Sequence, residues 1–207
     1  MGGDRIFTQR ELEAMGNRTL DLLQTSIDDG DEETAKKLSR RMYGEFLAMH
    51  DLYRDWVTDL LTFIGKRFGD EALYDALKQS VEGFTSALNE RYANKSARRK
   101  MEILAAGLRG HLFPFKIEED EEKFTITPDV CPSGGRLIRD GAYDPPRDFL
   151  KIKKAQPMTF DREDFPVYCS HCYFQNIIST EPGGSPLFIT EPSDKLGEEP
   201  CRIHVYK

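Results

Sequence analysis

The sequence predicts an α+β protein in which an N-terminal helical bundle packs on a C-terminal antiparallel sheet that one helix interrupts. Two observations carry this. Over residues 1–110 apolar side chains recur every three or four positions, the period of amphipathic helices. Beyond Gly110 short alternating runs replace that period, and nine of the eleven prolines fall between Pro132 and Pro200, as where strands and loops take over. We therefore expect a helical region, 1–110, and an α+β region, 111–207, joined in one compact unit.

Each element has its own signal. Thr8-Gln9-Arg10-Glu11 is a capping-box pattern ahead of Leu12, Met15, Leu20, Leu23 and Ile27, so a helix should run from about Thr8 until Asp28-Asp29-Gly30 stops it. A second helix starts near Asp31 and ends at Gly69. Its apolar positions Leu38, Met42, Phe46, Met49, Tyr53, Trp56, Leu60 and Ile64 form one continuous stripe that should be buried. Asp70 can cap a third helix, striped by Leu73, Leu77, Val81, Phe84 and Leu88, and a fourth runs from about Ser96 to Leu108. The strand candidates are Phe124–Thr127, Phe149–Lys153, Leu187–Ile189 and Cys201–Tyr206. Tyr173, Phe174, Ile177 and Ile178 share a helical face, which predicts the interrupting helix over Ser170–Ser179.

Composition narrows the function classes. With 39% hydrophobic and 31% charged residues, the chain has an ordinary globular balance and should fold alone or as a small homo-oligomer. A net charge of −7 argues against a nucleic-acid partner, which needs a basic face to displace counterions from phosphates. Arg98-Arg99-Lys100 reads as a solvated helix face. No stretch approaches the roughly 20 apolar residues of a membrane helix, and Met1-Gly2-Gly3-Asp4 has no apolar signal core, so a cytoplasmic location is expected.

In that reducing compartment four cysteines are thiols or metal ligands before they are disulfides. Cys169-Ser170-His171-Cys172 is a C-x-x-C turn that brings two thiolates within reach of one ion, and zinc favours such ligands. Cys131, before Pro132, is the third candidate. The fourth is open among His204, Cys201, His171 and His111. Cys201 and His204 lie three apart in a regular strand and so face opposite sides. Cys201 shares its side with Ile203 and Val205, which suits a buried hydrophobe, whereas His204 has polar neighbours and is taken into the site with Cys131, Cys169 and Cys172. Zinc leads an iron-sulfur cluster, which would need all four cysteines to converge. Ordinary thiols are the competing reading.

Two further groups are candidates. Gly134 and Gly135 in Pro132-Ser133-Gly134-Gly135-Arg136 free the backbone to aim its amides at an anion, and Arg136 offers a planar fork for a substrate carboxylate. A plain tight turn is the alternative. In the second helix Glu45 lies inside the apolar stripe, where an unpaired carboxyl would have a raised pKa and suit proton transfer. A buried pair with an arginine, or a helix edge that meets solvent, is the other outcome. His50, at the stripe's edge, and His171 complete the catalytic candidates.

Phe165-Pro166-Val167-Tyr168-Cys169, Gly183-Gly184-Ser185-Pro186-Leu187-Phe188-Ile189 and Leu196-Gly197-Glu198-Glu199-Pro200-Cys201-Arg202-Ile203-His204-Val205-Tyr206-Lys207 together resemble the closing pattern of the L-2-amino-thiazoline-4-carboxylic acid hydrolase-like family. The closing strand is also faintly similar to vinyl-reductase-type small-molecule-binding domains. Both resemblances imply an α+β domain with a ligand pocket, and the first carries over Cys169 and Cys201. Cys172 stands where that pattern has an acidic residue, and the exchange favours zinc. The expectation is a zinc-dependent hydrolase-like enzyme acting on a small carboxylated, nitrogen-containing molecule. The rival is a non-catalytic ligand-binding or sensor domain whose metal is structural.

Overall fold

The structure, a computed structural model, describes residues 6–92, 94–111, 113–178 and 188–207, apart from the side chains at 86, 87, 89 and 90. It is an α+β fold of helices followed by an antiparallel sheet of four strands. The sequence places a boundary at residue 110. The chain's contacts instead divide it into Met1–Tyr53 and Arg54–Lys207.

The first unit contains α1 (Gln9–Gly16), α2 (Thr19–Asp28) and the start of α3 (Glu32–Tyr92). The capping box forms: the Thr8 backbone amide donates to Glu11 Oε2 at 2.7 Å, and the Glu11 amide donates to Thr8 Oγ1 at 3.3 Å. The expected single helix is two, because Asn17 and Arg18 are extended, with ψ of 133° and 134°. Arg18 then pairs with Asp21 in the first turn of α2 at 2.7 Å. On α3, Leu38 is buried, but Met42, Met49 and Tyr53 of the predicted stripe are exposed.

The second unit holds the rest of α3, whose backbone leaves helical values at Gly69 (φ 84°, ψ −178°). Glycine adopts that φ without the strain a Cβ brings. Before this kink the predicted stripe is again largely exposed, Trp56 58% and Leu60 48%, although Ile64 packs against the core. The buried face is Arg54, Thr58, Leu61 and Thr62. Small side chains there let the segment 142–150 approach closely, and the Leu150 amide donates to Thr62 Oγ1 at 3.1 Å. Beyond the kink, Leu73, Leu77 and Val81 are buried as predicted, whereas Phe84 is exposed.

Helix α4 (Ala97–Arg109) is capped by Ser96, whose hydroxyl accepts from the Arg99 amide. Then come β1 (Phe115–Glu119), β2 (Lys123–Pro128), α5 (Gly134–Arg139), β3 (Lys151–Ile152), β4 (Phe165–Pro166), α6 (Ser170–Ile178), β5 (Ile189–Glu191) and β6 (Arg202–Tyr206). The sheet order is β1-β2-β6-β5, and β3 pairs with β4 in a separate ribbon. In the sheet Ile126 faces Ile203 and Thr125 faces His204. Strand β1 is exposed at four of its five residues and has no sequence signal of its own. Ser179 and Leu187, ends of a predicted helix and strand, lie outside the described residues.

Two cores result. Leu73, Leu77, Leu137, Ile152, Met158 and Phe174 belong to one, built from α3, α5, α6 and the loops between them. Tyr92, Met101, Ala105, Ile126, Phe188 and Val205 belong to the other, where α3 and α4 meet the sheet. No helix among the described residues is long and apolar enough to cross a membrane.

Candidate functional site

A cavity of about 750 Å³ lies in the second unit and draws its walls from α3, α4, the sheet, α5 and α6. Much of its lining is apolar: Leu88, Tyr92, Leu104, Leu108, Phe115 and Phe188. All four cysteines also line it, together with His111 and His171.

Local structure explains how three distant segments deliver those thiols. Cys131 follows β2, in the turn that opens α5. Cys169 closes a 3₁₀ turn, Val167–Cys169, and Cys172 lies one helical turn further on, in α6, so the two project to one side. Cys201 immediately precedes β6. The loop before it is fastened at two points: Arg139 Nε donates to the Gly197 carbonyl at 2.5 Å, and Arg162 Nη1 to the Ser193 carbonyl at 2.5 Å. Gly197 has φ +88°, and a Cβ there would stand 2.6 Å from Ile138 Cγ2. Glycine is required on both counts.

The glycines of the 132–136 loop serve the cysteines. A Cβ on Gly134 would lie 2.7 Å from Cys169 Sγ, and one on Gly135 would lie 2.7 Å from Cys131 Cβ. The backbone amides of Gly135, Ser133 and Gly134 turn toward the Cys131 sulfur. They do aim at an electron-rich group, as the sequence suggested, but that group belongs to the protein. Residues 134–139 form a short helix, and Arg136 sits over the Phe113 ring at 5.4 Å and donates to the Pro132 carbonyl at 3.5 Å. Arg136 is not among the residues that line the cavity.

Burial sets the electrostatics. It raises the Cys131 thiol, whose shift the three amides partly oppose, and it raises Cys169 well above the usual thiol range. Cys172 is pushed up to about 12 and Cys201 to about 11 by the same desolvation. His171 is lowered by burial. Its Nδ1 lies 2.5 Å from the Tyr168 carbonyl, which can only accept, so Nδ1 carries the proton and Nε2 turns its lone pair to Cys172 Sγ at 3.6 Å.

His204, expected in the metal site, stands elsewhere. Strand alternation puts it on the face opposite Cys201, where Nε2 meets Glu191 Oε2 at 2.8 Å and Nδ1 meets Thr125 Oγ1 at 3.2 Å. The two residues stand apart, and of them Cys201 lines the cavity. Glu45 and His50 belong to the first unit. Glu45 accepts from Thr19 Oγ1 at 2.9 Å and from Arg41 Nε at 2.8 Å, and these bonds lower its pKa, opposite to the rise expected of an unpaired carboxyl. His50 packs on Phe46 at 5.9 Å and its Nδ1 lies 3.0 Å from Asp51.

Among the described residues no three histidine, cysteine, aspartate or glutamate side chains stand ready-made as a coordination shell. Comparison with family models, characterised proteins and solved structures finds no match for this chain. The resemblance to the hydrolase-like family therefore rests on the motif residues alone, and its 183–187 segment lies outside the described residues.

Proposed function

We propose that this protein is a small-molecule-binding domain that encloses a largely apolar ligand beside a cluster of metal-binding thiols. The observation that carries this reading is a cavity of about 750 Å³ walled by apolar residues of the second core, Tyr92, Ile126 and Phe188 among them, and by all four cysteines. Cavities of roughly 300–1,000 Å³ with mainly apolar walls and a few convergent polar groups suit small organic ligands. The residues favour an apolar body over a small carboxylated heterocycle, because Arg136, the expected carboxylate anchor, is engaged with Phe113 and Pro132. Zinc, the expected ion, would be held by Cys131, Cys169 and Cys172 and would tie the 131–135 turn to α6.

A zinc hydrolase acting on a carboxylated, nitrogen-containing molecule is the second reading. His171 favours it: of the three expected proton carriers, it lines the cavity, with its Nε2 beside Cys172 Sγ. The experiment that separates the two is titration of the full chain with an environment-sensitive naphthalene dye, followed by competition with fatty acids, aromatic hydrocarbons and heterocyclic carboxylates. Saturable dye binding, displaced best by the apolar competitors and weakened about tenfold or more in Leu104→Trp, is expected where a bulky side chain fills the cavity. Absence of saturable binding would sink the binding reading, and amine release from a carboxylated amide by the wild type would put the hydrolase first.

A further inference from the structure

We infer that Cys131, Cys169, Cys172 and Cys201 form one all-sulfur metal site, with Cys201, not His204, as its fourth ligand. This deepens the metal part of the reading above and is independent of which ligand the cavity takes.

The four thiols come from three segments far apart in sequence, yet all line one cavity. The 134–135 backbone ties two of them together, since it lies against both Cys169 and Cys131. An apolar core has no reason to collect four thiols at one place. A soft ion does, because it recovers in sulfur bonds what desolvation of thiolates costs.

The surrounding backbone points the same way. Gly134 and Gly135 bring the chain against Cys169 and Cys131 where any side chain would collide. Three amides turn to the Cys131 sulfur and the Ser193 amide to the Cys201 sulfur. Amide donors favour a thiolate over a thiol, and a buried, inert cysteine needs none of them. His204 is held on the far face of the sheet by Thr125 and Glu191. His171 stands beside the cluster, its Nδ1 engaged by the Tyr168 carbonyl and its Nε2 3.6 Å from the Cys172 sulfur.

The sulfurs do not stand as a finished shell, so the ion itself must draw them together. Four thiolates leave a zinc ion no open position, which is the mark of a structural site. The chemical consequence is that the metal pins the turn before α5, the start of α6 and the start of β6 into one wall of the cavity, and does not itself attack a substrate.

The test loads the full-length, reduced, chelator-treated protein with cobalt(II) and reads the thiolate-to-cobalt charge-transfer absorbance, which grows with the number of sulfur ligands. Cys201→Ser should lose about a quarter of that absorbance or more and weaken zinc binding about tenfold or more, whereas His204→Gln should leave both unchanged. If Cys201→Ser does not fold, X-ray absorption of the zinc-loaded wild type decides, with four sulfurs at ~2.3 Å expected and a nitrogen at ~2.0 Å counting against the site. A Cys201→Ser spectrum identical to wild type, loss of absorbance in His204→Gln, or no uptake of either metal would overturn the inference. A brown iron-sulfur chromophore requiring all four cysteines would uphold the ligand set and overturn zinc.

Discussion

Gly134 approaches Cys169 so closely that a methyl group at position 134 would stand 2.7 Å from the cysteine sulfur and 3.5 Å from Tyr168 Cδ1. Cys169 is half-buried at the cavity wall, but a Cβ placed that close must displace its sulfur or the 3₁₀ turn that carries it. Gly134→Ala should therefore destabilise the second unit by about 1–3 kcal/mol, the usual cost of overpacking, despite the better helix propensity of alanine. Gly83, in α3, is the control. A Cβ there meets nothing within 4 Å, and Gly83→Ala should stabilise by up to about 1 kcal/mol. Urea midpoints measure both, and equal shifts in one direction would show that the Gly134–Cys169 approach has no energetic weight.

The same contact shows what can and cannot be read from sequence. Spacing marks Cys169 and Cys172 as a pair, because C-x-x-C geometry is local, whereas Cys131 is a candidate companion by residue type alone. Cys201 was harder. Alternation assigned it to the face of Ile203 and Val205, but whether that face meets core or cavity depends on α4 and Phe188, which share no local signal with it. Gly134 and Gly135 looked like a turn or an anion cradle, since a sequence cannot show which side chains a glycine makes room for. Period likewise marked an apolar stripe on α3, yet the unit buries Arg54, Thr58 and Thr62. The loop that packs there needs small residues and a hydroxyl for the Leu150 amide, a long-range requirement invisible to periodicity. The cap at Thr8, the fourth helix and the closing strand were legible because each depends on neighbours a few positions away.

Glu191 predicts a pH dependence. Its carboxylate accepts from His204 Nε2 at 2.8 Å, and that hydrogen bond, ahead of any charge effect, holds its pKa below the ordinary glutamate value. A carboxyl lowered in the folded state binds protons more weakly there than in the unfolded chain. Its stabilising contribution is thus complete above about pH 4.3, the unfolded value, and is lost as pH falls through the lowered folded value. Glu191 is exposed, so solvent screening keeps the effect small. Glu191→Gln should flatten the acid limb of the stability profile below about pH 4.3 while leaving the slope at neutral pH unchanged. An acid limb identical to wild type in urea melts over that range would refute the coupling.

The last prediction concerns the join between α6, which carries Cys172, and the sheet edge that leads toward Cys201. Strand β5 pairs with β6 on one side only. On its open side, Asn176 of α6 takes the place of a further strand: Nδ2 donates to the Thr190 carbonyl at 2.8 Å, and Oδ1 accepts from the Thr190 amide at 2.7 Å. Thr190 is buried, so neither backbone group has ready access to water. Asn176→Ala removes both bonds and should cost about 1–3 kcal/mol, the penalty for leaving a buried polar group unpaired. Asn176→Asp keeps the acceptor but sets a carboxylate oxygen against the Thr190 carbonyl, and should cost more than alanine. Denaturant unfolding gives the energies, and hydrogen exchange at the Thr190 amide locates them. Exchange there should quicken in Asn176→Ala, where the amide loses its acceptor, ahead of Asn176→Asp, where it keeps one. If the alanine variant unfolds within about 0.5 kcal/mol of wild type with Thr190 still protected, the asparagine bridge does not hold β5, and the wall of the cavity on that side is set by the β6 pairing alone.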